Sequence, residues 1–287
     1  MTNIDIDALR QHIGTMQVEE DVATAAPPHG MIMTFDRDEE PPKEGEAIAP
    51  GWHRCYFLPM SRPSRLGADG LPLDSGVMPA MPLPRRMFAG TKTTFHKPIR
   101  VGDKLTRETE LADIQLREGS TGVLIFTNVV ARIIGPDGLA LEEEARTAFR
   151  DEVKPGEKSG IPKRETPPSG TPWERTITAD PVSLFRYSAL TFNPHRIHYD
   201  RPYAMEVEGY PGLVIHGPYS SQCLLDLARD NSGGRAIKTY EMRARAPLFD
   251  TAPFKVVGRP TADGNGCELW ALTPEGTTGM TATATFA

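Results

Sequence analysis

The stretch Ser188-Ala-Leu-Thr-Phe-Asn-Pro-His-Arg-Ile-His-Tyr-Asp200 places two histidines, an asparagine and a tyrosine in one short segment. Asp180 is a suitable N-cap for a helix over Pro181–Leu190, because proline is favoured at the first helical position. The segment that follows this helix is therefore predicted to be a loop, where functional side chains are commonly displayed. Histidine suits proton transfer near neutral pH because its ordinary pKa lies there.

A second motif follows the first, Glu208-Gly-Tyr-Pro-Gly-Leu-Val-Ile-His-Gly-Pro218. Its His216-Gly217 pair is predicted to open a helix over Pro218–Arg229. Free N–H groups at a helix start, with a glycine that permits close approach, can hold a carbonyl oxygen as it gains negative charge. Enolate chemistry on a thioester needs a group that transfers a proton and a donor that stabilises the enolate oxygen. The loop and the helix start could supply these two groups.

Structural roles are the alternatives for these histidines. His216 can simply bond to the backbone, and His195 can brace the loop. Metal binding by His195 and His198 is disfavoured, since no carboxylate or cysteine completes a ligand pattern. We therefore predict no metal site, and His198 is the strongest candidate for proton transfer.

The composition of the 287-residue chain excludes several classes of protein. Its formal net charge of −6 argues against a nucleic-acid partner, which would require clustered Lys and Arg. The three cysteines are widely separated, which favours a reduced, cytoplasmic protein. The N-terminus does not resemble a signal peptide, and no apolar run approaches the ~20 residues of a membrane span. We expect neither nucleic acid nor membrane as a partner.

The remainder of the chain is predicted to be rich in strands. A weak amphipathic helix is expected over Asp5–Glu20, followed by a proline-rich region over Ala26–Pro84 that runs extended or as loops, with one candidate strand at Gly51–Leu58. Leu139–Arg150 fits a strand or a short helix. Further strands are predicted at Thr91–Phe95, Lys104–Gln115, Gly122–Ile134, Trp173–Thr178, Ala236–Arg245, Pro253–Pro260, Leu269–Leu272 and Gly279–Phe286.

A charged segment rich in proline and glycine divides the chain. We predict a linker at 156–172, an N-terminal domain at 1–155 and a C-terminal domain at 173–287 that carries the two motifs. Both parts end in alternating, threonine-rich strands. This faint echo favours an internal duplication over two unrelated β-rich domains.

The two motifs resemble those of the MaoC-type hydratases and dehydratases of the hot-dog fold. The signature of that family is an Asp-x-Asn-Pro-x-His run over the active site, followed by a His-Gly pair at the start of the central helix. Aligned without gaps, Asn193 takes the place of the Asp and His195 that of the Asn. Arg196 then takes the place of the Pro and His198 that of the His, and His216-Gly217 falls on the His-Gly pair.

The resemblance is closer to the branch of the type 2 hydroxyacyl-thioester dehydratases and the mesaconyl-C4-CoA and itaconyl-CoA hydratases. That branch shows Ser-x-Leu-Thr-x-Asn-x-His-Arg-Ile-His-Tyr-Asp and Glu-Gly-Tyr-x-Gly-Leu-Val-x-His-Gly-Pro, and Pro84–Gly90 and Leu66–Gly70 are similar too. The resemblance spans nearly the whole chain. It implies an α+β double hot-dog fold, with two fused units, each a long helix wrapped by an antiparallel sheet, and with the chemistry in the second unit.

The resemblance also implies an activity, the reversible hydration of an α,β-enoyl-CoA or the dehydration of a 3-hydroxyacyl-CoA. A C5 dicarboxylyl-CoA such as mesaconyl-C4-CoA or itaconyl-CoA, giving citramalyl-CoA, is the expected substrate. Coenzyme A is then part of the substrate, and no separate cofactor is expected. His198 is the expected acid and base and the Gly217 N–H the enolate donor, while Asn193 can orient water but cannot abstract a proton.

Further residues are expected to bind the substrate. Arginine suits a phosphate or a carboxylate because its fork donates two hydrogen bonds at once, although each arginine here fits a surface charge equally well. The expected binding residues are His195, Arg196, Tyr199, His216, Arg85, Arg86 and Arg243.

Two other functions are compatible with the same fold. One is a hot-dog acyl-CoA thioesterase. Thioesterases of this fold usually use a carboxylate near the central helix, and the absence of Asp and Glu between His216 and Leu225 disfavours this function. The other is a non-catalytic acyl-thioester-binding module, which the substitution at Asn193 favours and the retained histidines disfavour. The acyl group, the carrier, the physiological direction and the formation of a homodimer stay open.

Overall fold

The computed structural model describes residues 4–73, 76–83, 85–119, 122–150 and 165–287. Ten strands of these residues form one antiparallel sheet in the order β1-β3-β4-β5-β2-β7-β10-β9-β8-β6. The strands are β1 (Met16–Val22), β2 (Arg85–Phe95), β3 (Lys104–Gly119), β4 (Gly122–Gly135), β5 (Gly138–Arg150), β6 (Trp173–Ile177), β7 (Ile237–Ala244), β8 (Phe254–Pro260), β9 (Gly266–Leu272) and β10 (Thr278–Phe286). The helices are α1 (Ile6–Arg10), α2 (Ala26–Thr34), α3 (Pro181–Leu190) and α4 (Gly217–Asp230), with short 3₁₀ helices at Trp52–Cys55, Pro63–Arg65 and Arg196–His198 and a π-helical turn at Tyr203–Val207.

The sheet is built from two halves in mirrored order. Counted inward from its outer edge, the first half has the order β1-β3-β4-β5-β2, and the second half has the order β6-β8-β9-β10-β7. β1 thus corresponds to β6, β3 to β8, β4 to β9, β5 to β10 and β2 to β7. The halves join where β2 pairs with β7, from Gly90 opposite Arg243 to Thr94 opposite Thr239. This mirrored order is the structural counterpart of the predicted duplication.

The helices α2 and α3 repeat the same C-terminal geometry. Asp36 and Phe192 each stand one residue beyond the C-cap and have positive φ angles of 51° and 49°. In α3 the N–H of Asn193 bonds to the carbonyl of Ser188 at 2.8 Å, and α2 makes the corresponding bond. This is a Schellman-type end, with a residue other than glycine in the left-handed conformation. It turns the chain sharply, so that Asn193 begins the motif loop.

The long central helix is present in the second half. The residues of α4 from Tyr219 to Ala228 are all buried, and the helix packs against β7 to β10. In the described part of the first half, the same place is taken by the 3₁₀ helix Trp52–Cys55. Phe57 has a positive φ of 53° and Pro59 follows it, so the chain cannot continue as a helix there. The α+β double hot-dog fold is confirmed, but the expectation of a long helix in each unit is wrong for the first.

Three local predictions are wrong. The helix expected over Asp5–Glu20 ends at Arg10, and the later residues form β1, because pairing with β3 along the sheet edge overrides a weak helical pattern. The candidate strand at Gly51–Leu58 is the short 3₁₀ helix. The region expected to be extended contains α2, which tolerates its two prolines because they lie in the first turn.

The predicted domain boundaries stay a prediction. Residues 151–164, which include most of the expected linker at 156–172, lie outside the described part of the chain. β6 begins at Trp173, where the C-terminal domain was expected to start. Among the described residues, no helix is long and apolar enough to cross a membrane.

Candidate active site

His198 is held in one tautomer. Its Nδ1 lies 2.7 Å from the carbonyl oxygen of Val214, and the backbone N–H of Val214 bonds to the carbonyl of Ile197 at 3.0 Å. A carbonyl oxygen can only accept, so Nδ1 carries the proton and Nε2 keeps its lone pair. Burial lowers the pKa of His198 to about 4, with the bond to Val214 opposing this shift. The side chain is therefore a neutral base at pH 7, with Nε2 as its accepting atom.

His198 lies at the amino end of α4. Its ring stacks on that of His216, the N-cap residue, with centroids 3.7 Å apart and an angle of 22° between the planes. His216 is fully buried, and its Nε2 lies 2.8 Å from the hydroxyl of Ser188 on α3. Burial lowers the pKa of His216 well below its usual value, so this ring is neutral as well. His216 has no exposed surface, and its stacking holds the ring of His198 in place.

Gly217 supplies the helix-start donor. Its backbone N–H has no hydrogen-bond partner within the described part of the chain. A Cβ at this position would stand 3.4 Å from the ring of Phe88, which comes from β2 in the first half. The helix start therefore faces the ring of Phe88 across a space of about one methyl group.

Asn193 and His195 complete the motif loop. The side-chain oxygen of Asn193 accepts the backbone N–H of His195 at 3.1 Å, so its NH₂ group is the part left to donate to water. The ring of His195 stands edge-on to that of His198, with centroids 5.4 Å apart. The structure thus brings Asn193, His195, His198, His216 and Gly217 together, as the motifs predict.

A turn of the first half forms a wall of this site. The N–H of Arg196 bonds to the carbonyl of Asp69 at 2.8 Å, and its guanidinium bonds to that of Ala68 at 3.0 Å. Gly70 has a φ of +88°, and a Cβ on it would overlap the carbonyl oxygen of Pro194. The Leu66–Gly70 motif is therefore a turn against which the motif loop packs. This contact was not predicted from the sequence. The similarity of Leu66–Gly70 to the branch that the chain resembles could have indicated it.

The side chains of Arg196 and Tyr199 brace the loop. Arg196 pairs with Asp200 at 2.7 Å and lies over the ring of Tyr203, 4.1 Å from its centroid. The hydroxyl of Tyr199 donates to the carbonyl of Pro194 at 2.9 Å. Contact of either residue with the substrate stays a prediction.

The three other predicted arginines differ in position. Arg243 is exposed, and its hydrogen bonds go to Glu241 rather than to the motif loop. Arg85 belongs to β2, but its side chain lies outside the described part of the structure. Arg86 is electrostatically coupled to the site. Burial lowers the pKa of His195, and the charge of Arg86 lowers it further, against the opposing charges of Asp69 and Glu208.

Comparison with known families bears directly on this site. The model of hydroxyacyl-thioester dehydratase type 2 matches residues 51–250, a span that includes the motif loop, the start of α4 and the Leu66–Gly70 turn. The chain belongs to this family. A mesaconyl-C(4)-CoA hydratase of Chloroflexus aurantiacus is 42% identical over 270 residues, 94% of each chain. The mitochondrial hydroxyacyl-thioester dehydratase type 2 of Schizosaccharomyces pombe is 26% identical over 235 residues, 73% of this chain and 77% of the relative.

Solved structures agree with the family assignment at the level of the fold. A MaoC-like dehydratase from Phytophthora capsici superposes with a TM-score of 0.72 at 14% identity, covering 99% of each chain. A Mycobacterium tuberculosis protein described as a double hotdog fold gives a TM-score of 0.58 at 12% identity, covering 96% of each chain. Since the named activities of the relatives are a hydratase and a dehydratase, the chain is a hydro-lyase of the type 2 hydroxyacyl-thioester dehydratase family.

Proposed function

We propose that this protein reversibly hydrates a C5 dicarboxylyl-CoA, with mesaconyl-C4-CoA as substrate and citramalyl-CoA as product. The observation that carries the proposal is the neutral imidazole of His198, stacked on the N-cap of α4 next to Gly217, the N–H of which bonds to none of the described residues. The substrate class is supported by the mesaconyl-C(4)-CoA hydratase of Chloroflexus aurantiacus, which matches 94% of the chain.

The reaction uses His198 as base and then as acid. Nε2 of His198 takes a proton from water, and the hydroxide adds to the β-carbon of the double bond. The electron pair of that bond moves onto the thioester oxygen, where the Gly217 N–H stabilises the enolate. The imidazolium then returns its proton to the α-carbon on the same face. His198 ends neutral, and one water has been added across the double bond.

Asn193 has a supporting place in this scheme. Because its carbonyl oxygen is engaged by the N–H of His195, its NH₂ group can donate to the attacking water. An amide does not take up a proton at neutral pH, so both proton transfers fall to His198. The low pKa of His198 leaves the base ready at neutral pH, and the positive imidazolium formed transiently is a strong acid that readily returns its proton.

The thioesterase alternative gains no support from the central helix. The carboxylate on its inner turns is Asp226, which is buried, accepts from Gln222 at 2.9 Å and lies 3.6 Å from the guanidinium of Arg37. It is two turns beyond the helix start and is committed to other side chains. A non-catalytic module would not need a base with a free lone pair at the donor end of this helix.

The substrate class, the oligomeric state and the location of the protein stay predictions. The substrate is expected to be an acyl-CoA, and a homodimer beyond the fused pair of halves is one of the open oligomeric states. Cys55, Cys223 and Cys267 are free and buried. Thiols in this state suit a reducing compartment, and a cytoplasmic location stays the expectation.

The activity is tested with mesaconyl-C4-CoA and crotonyl-CoA, by following the enoyl absorbance and free thiol in the same sample. Loss of absorbance without thiol release is the expected result. Release of thiol at the same rate would instead identify a thioesterase. An unchanged absorbance and no thiol, with both substrates and in both directions, would contradict the proposal and leave the binding module.

A further inference from the structure

Two side chains of β2 reach the candidate active site from the first half of the sheet. Phe88 lies against Gly217, where a Cβ would stand 3.4 Å from its ring. Arg86 precedes Phe88 by two residues, and side chains two apart on a strand share a face. The Cα atoms of the two residues are therefore about 7 Å apart along the strand. Arg86 thus projects on the same side as Phe88, toward the motif loop.

Arg86 is exposed at the surface on this side of β2. The neighbouring protein partly desolvates its guanidinium, which lowers the pKa of Arg86. No carboxylate among the described residues forms an ion pair with it. Its charge reaches His195, the ring of which stands edge-on to His198. A partly desolvated cation that forms no ion pair within the described part of the chain favours an anionic ligand at this place.

We propose that Arg86 binds the carboxylate that the substrate carries on its β-carbon, and thereby selects acidic over neutral acyl groups. With the thioester oxygen at Gly217 and the β-carbon at His198, a substituent on the β-carbon points past His198 toward His195 and Arg86. The planar fork of the guanidinium matches a carboxylate with two parallel hydrogen bonds. This assignment rests on the proposed function, because it takes the position of the substrate from that mechanism.

Two carboxylates near His195 oppose the binding of an acidic acyl group. Asp69 accepts the N–H of Leu71 at 2.9 Å, and Glu208 accepts the hydroxyl of Tyr203 at 3.2 Å. Both are thus held in place, and their charges raise the pKa of His195. They also repel a substrate carboxylate, so the positive charge of Arg86 must outweigh them for an acidic acyl group to bind.

Equilibrium binding of two saturated thioesters tests this role without any turnover. Succinyl-CoA and butyryl-CoA carry a carboxylate and a methyl group, respectively, at the same place on the β-carbon. The wild-type protein should bind succinyl-CoA more tightly in calorimetric titration. Arg86→Gln should weaken succinyl-CoA binding by about 10- to 100-fold, which is the usual loss for a hydrogen-bonded charge, and should change butyryl-CoA binding by less than about threefold.

The matched control is Arg146→Gln, which removes an exposed arginine of β5 that has one distant contact, 3.8 Å, with Glu144. It should leave the preference for succinyl-CoA unchanged. Arg86→Lys should restore part of the preference, because it keeps the charge but loses the fork.

Three results would overturn the assignment of Arg86. They are a wild-type protein without preference between the two thioesters, an Arg86→Gln variant that retains the preference, and an equal loss of both ligands in that variant. The hydration assay is read separately. If mesaconyl-C4-CoA is not hydrated while the preference and its loss in Arg86→Gln are observed, the proposed function fails and the anion site stands.

Discussion

Gly217 opens a helix of 14 residues, whereas Gly51, at the corresponding place in the first half, precedes a 3₁₀ helix of four. The strands differ in the opposite sense. β3, β4 and β5 have 16, 14 and 13 residues, while their counterparts β8, β9 and β10 have 7, 7 and 9. The described part of the first half thus combines a short helix with longer strands, and the second half combines a long helix with shorter strands and the histidine loop.

The interiors of the two halves differ in chemistry as well. Where α4 packs against β8 to β10, the first half has a cavity of about 210 Å³ between its short helix and β3 to β5. Arg54 and Glu143 form an ion pair at this cavity, with His53 3.9 Å from the same carboxylate. Burial alone would raise the pKa of Glu143, but the charge of Arg54, with His53 nearby, holds it at about 2. One half therefore contains charges that are paired with one another, and the other contains a neutral base, the Nε2 of which has no hydrogen bond to the described residues.

The largest expected effect is a difference in hydration rate between variants of His198, in the second half, and His53, in the first. His198→Ala should lower the rate of hydration by about 10²–10⁴-fold with the fold intact, because it removes the acid and base. His53→Ala should keep the rate of the folded protein within about threefold and reduce the free energy of unfolding by about 1–3 kcal/mol, since it removes a buried side chain and enlarges the cavity beside Glu143. Steady-state kinetics and urea unfolding measure the two quantities. Near-normal turnover in His198→Ala, or a comparable kinetic loss in His53→Ala, would break the contrast.

A smaller effect compares the two glycines. Gly217→Ala places a methyl group in the gap before Phe88 and should lower kcat/KM by about 10²-fold through displacement of the thioester, with little change in stability. Gly51 has a φ of +88°, and a Cβ there would overlap the side-chain oxygen of Gln222. Gly51→Ala should therefore cost about 1–3 kcal/mol of stability and leave the kinetics of the folded fraction near normal. Equal phenotypes for the two variants, in kinetics and in thermal unfolding, would show that the glycines do not differ in role.

The smallest effect is in the pH dependence. Since His198 must be neutral to take a proton, kcat/KM should fall on the acid side with a pKa near 4 rather than the ordinary 6.5. Glu143 acts on stability instead. Its folded pKa of about 2 lies below the unfolded value, so its contribution is complete above about pH 4.5 and is lost as the pH falls toward 2. Glu143→Gln should remove that acid-side loss of stability and leave the pH–rate curve in place. A kinetic limb near 6.5 would show that the His198 ring is more hydrated than its burial indicates.

The second half was largely predictable from its sequence. The bounds of α3 and the Asp180 cap are as predicted, and α4 and the strands β7 to β10 agree within a few residues. These elements have strong local signals, such as the proline at a helix start or alternating threonines. The first half was less predictable because its short 3₁₀ helix and β1 depend on contacts that are distant in the sequence.

The same distinction applies to the site. His198 and Gly217 followed from motifs that are continuous in the chain. Phe88 and Asp69 were missed as site residues because they arrive from the first half, through the pairing of β2 with β7 and the docking of the Leu66–Gly70 turn. Arg86 was one of several candidate arginines, and what separates it from Arg243 is its position on β2, which no local pattern encodes.

The mirrored sheet has a consequence for how such a protein can change over time. In a symmetric assembly of identical chains, every substitution occurs in each copy at once. Here the two halves lie on a single polypeptide, so a substitution changes one half and leaves the other as it was. Phe88, Arg86 and the Leu66–Gly70 turn belong to the first half, and the histidine loop and the start of α4 belong to the second. The surroundings of the histidine loop can therefore be altered by substitutions in the first half that leave the loop itself unchanged.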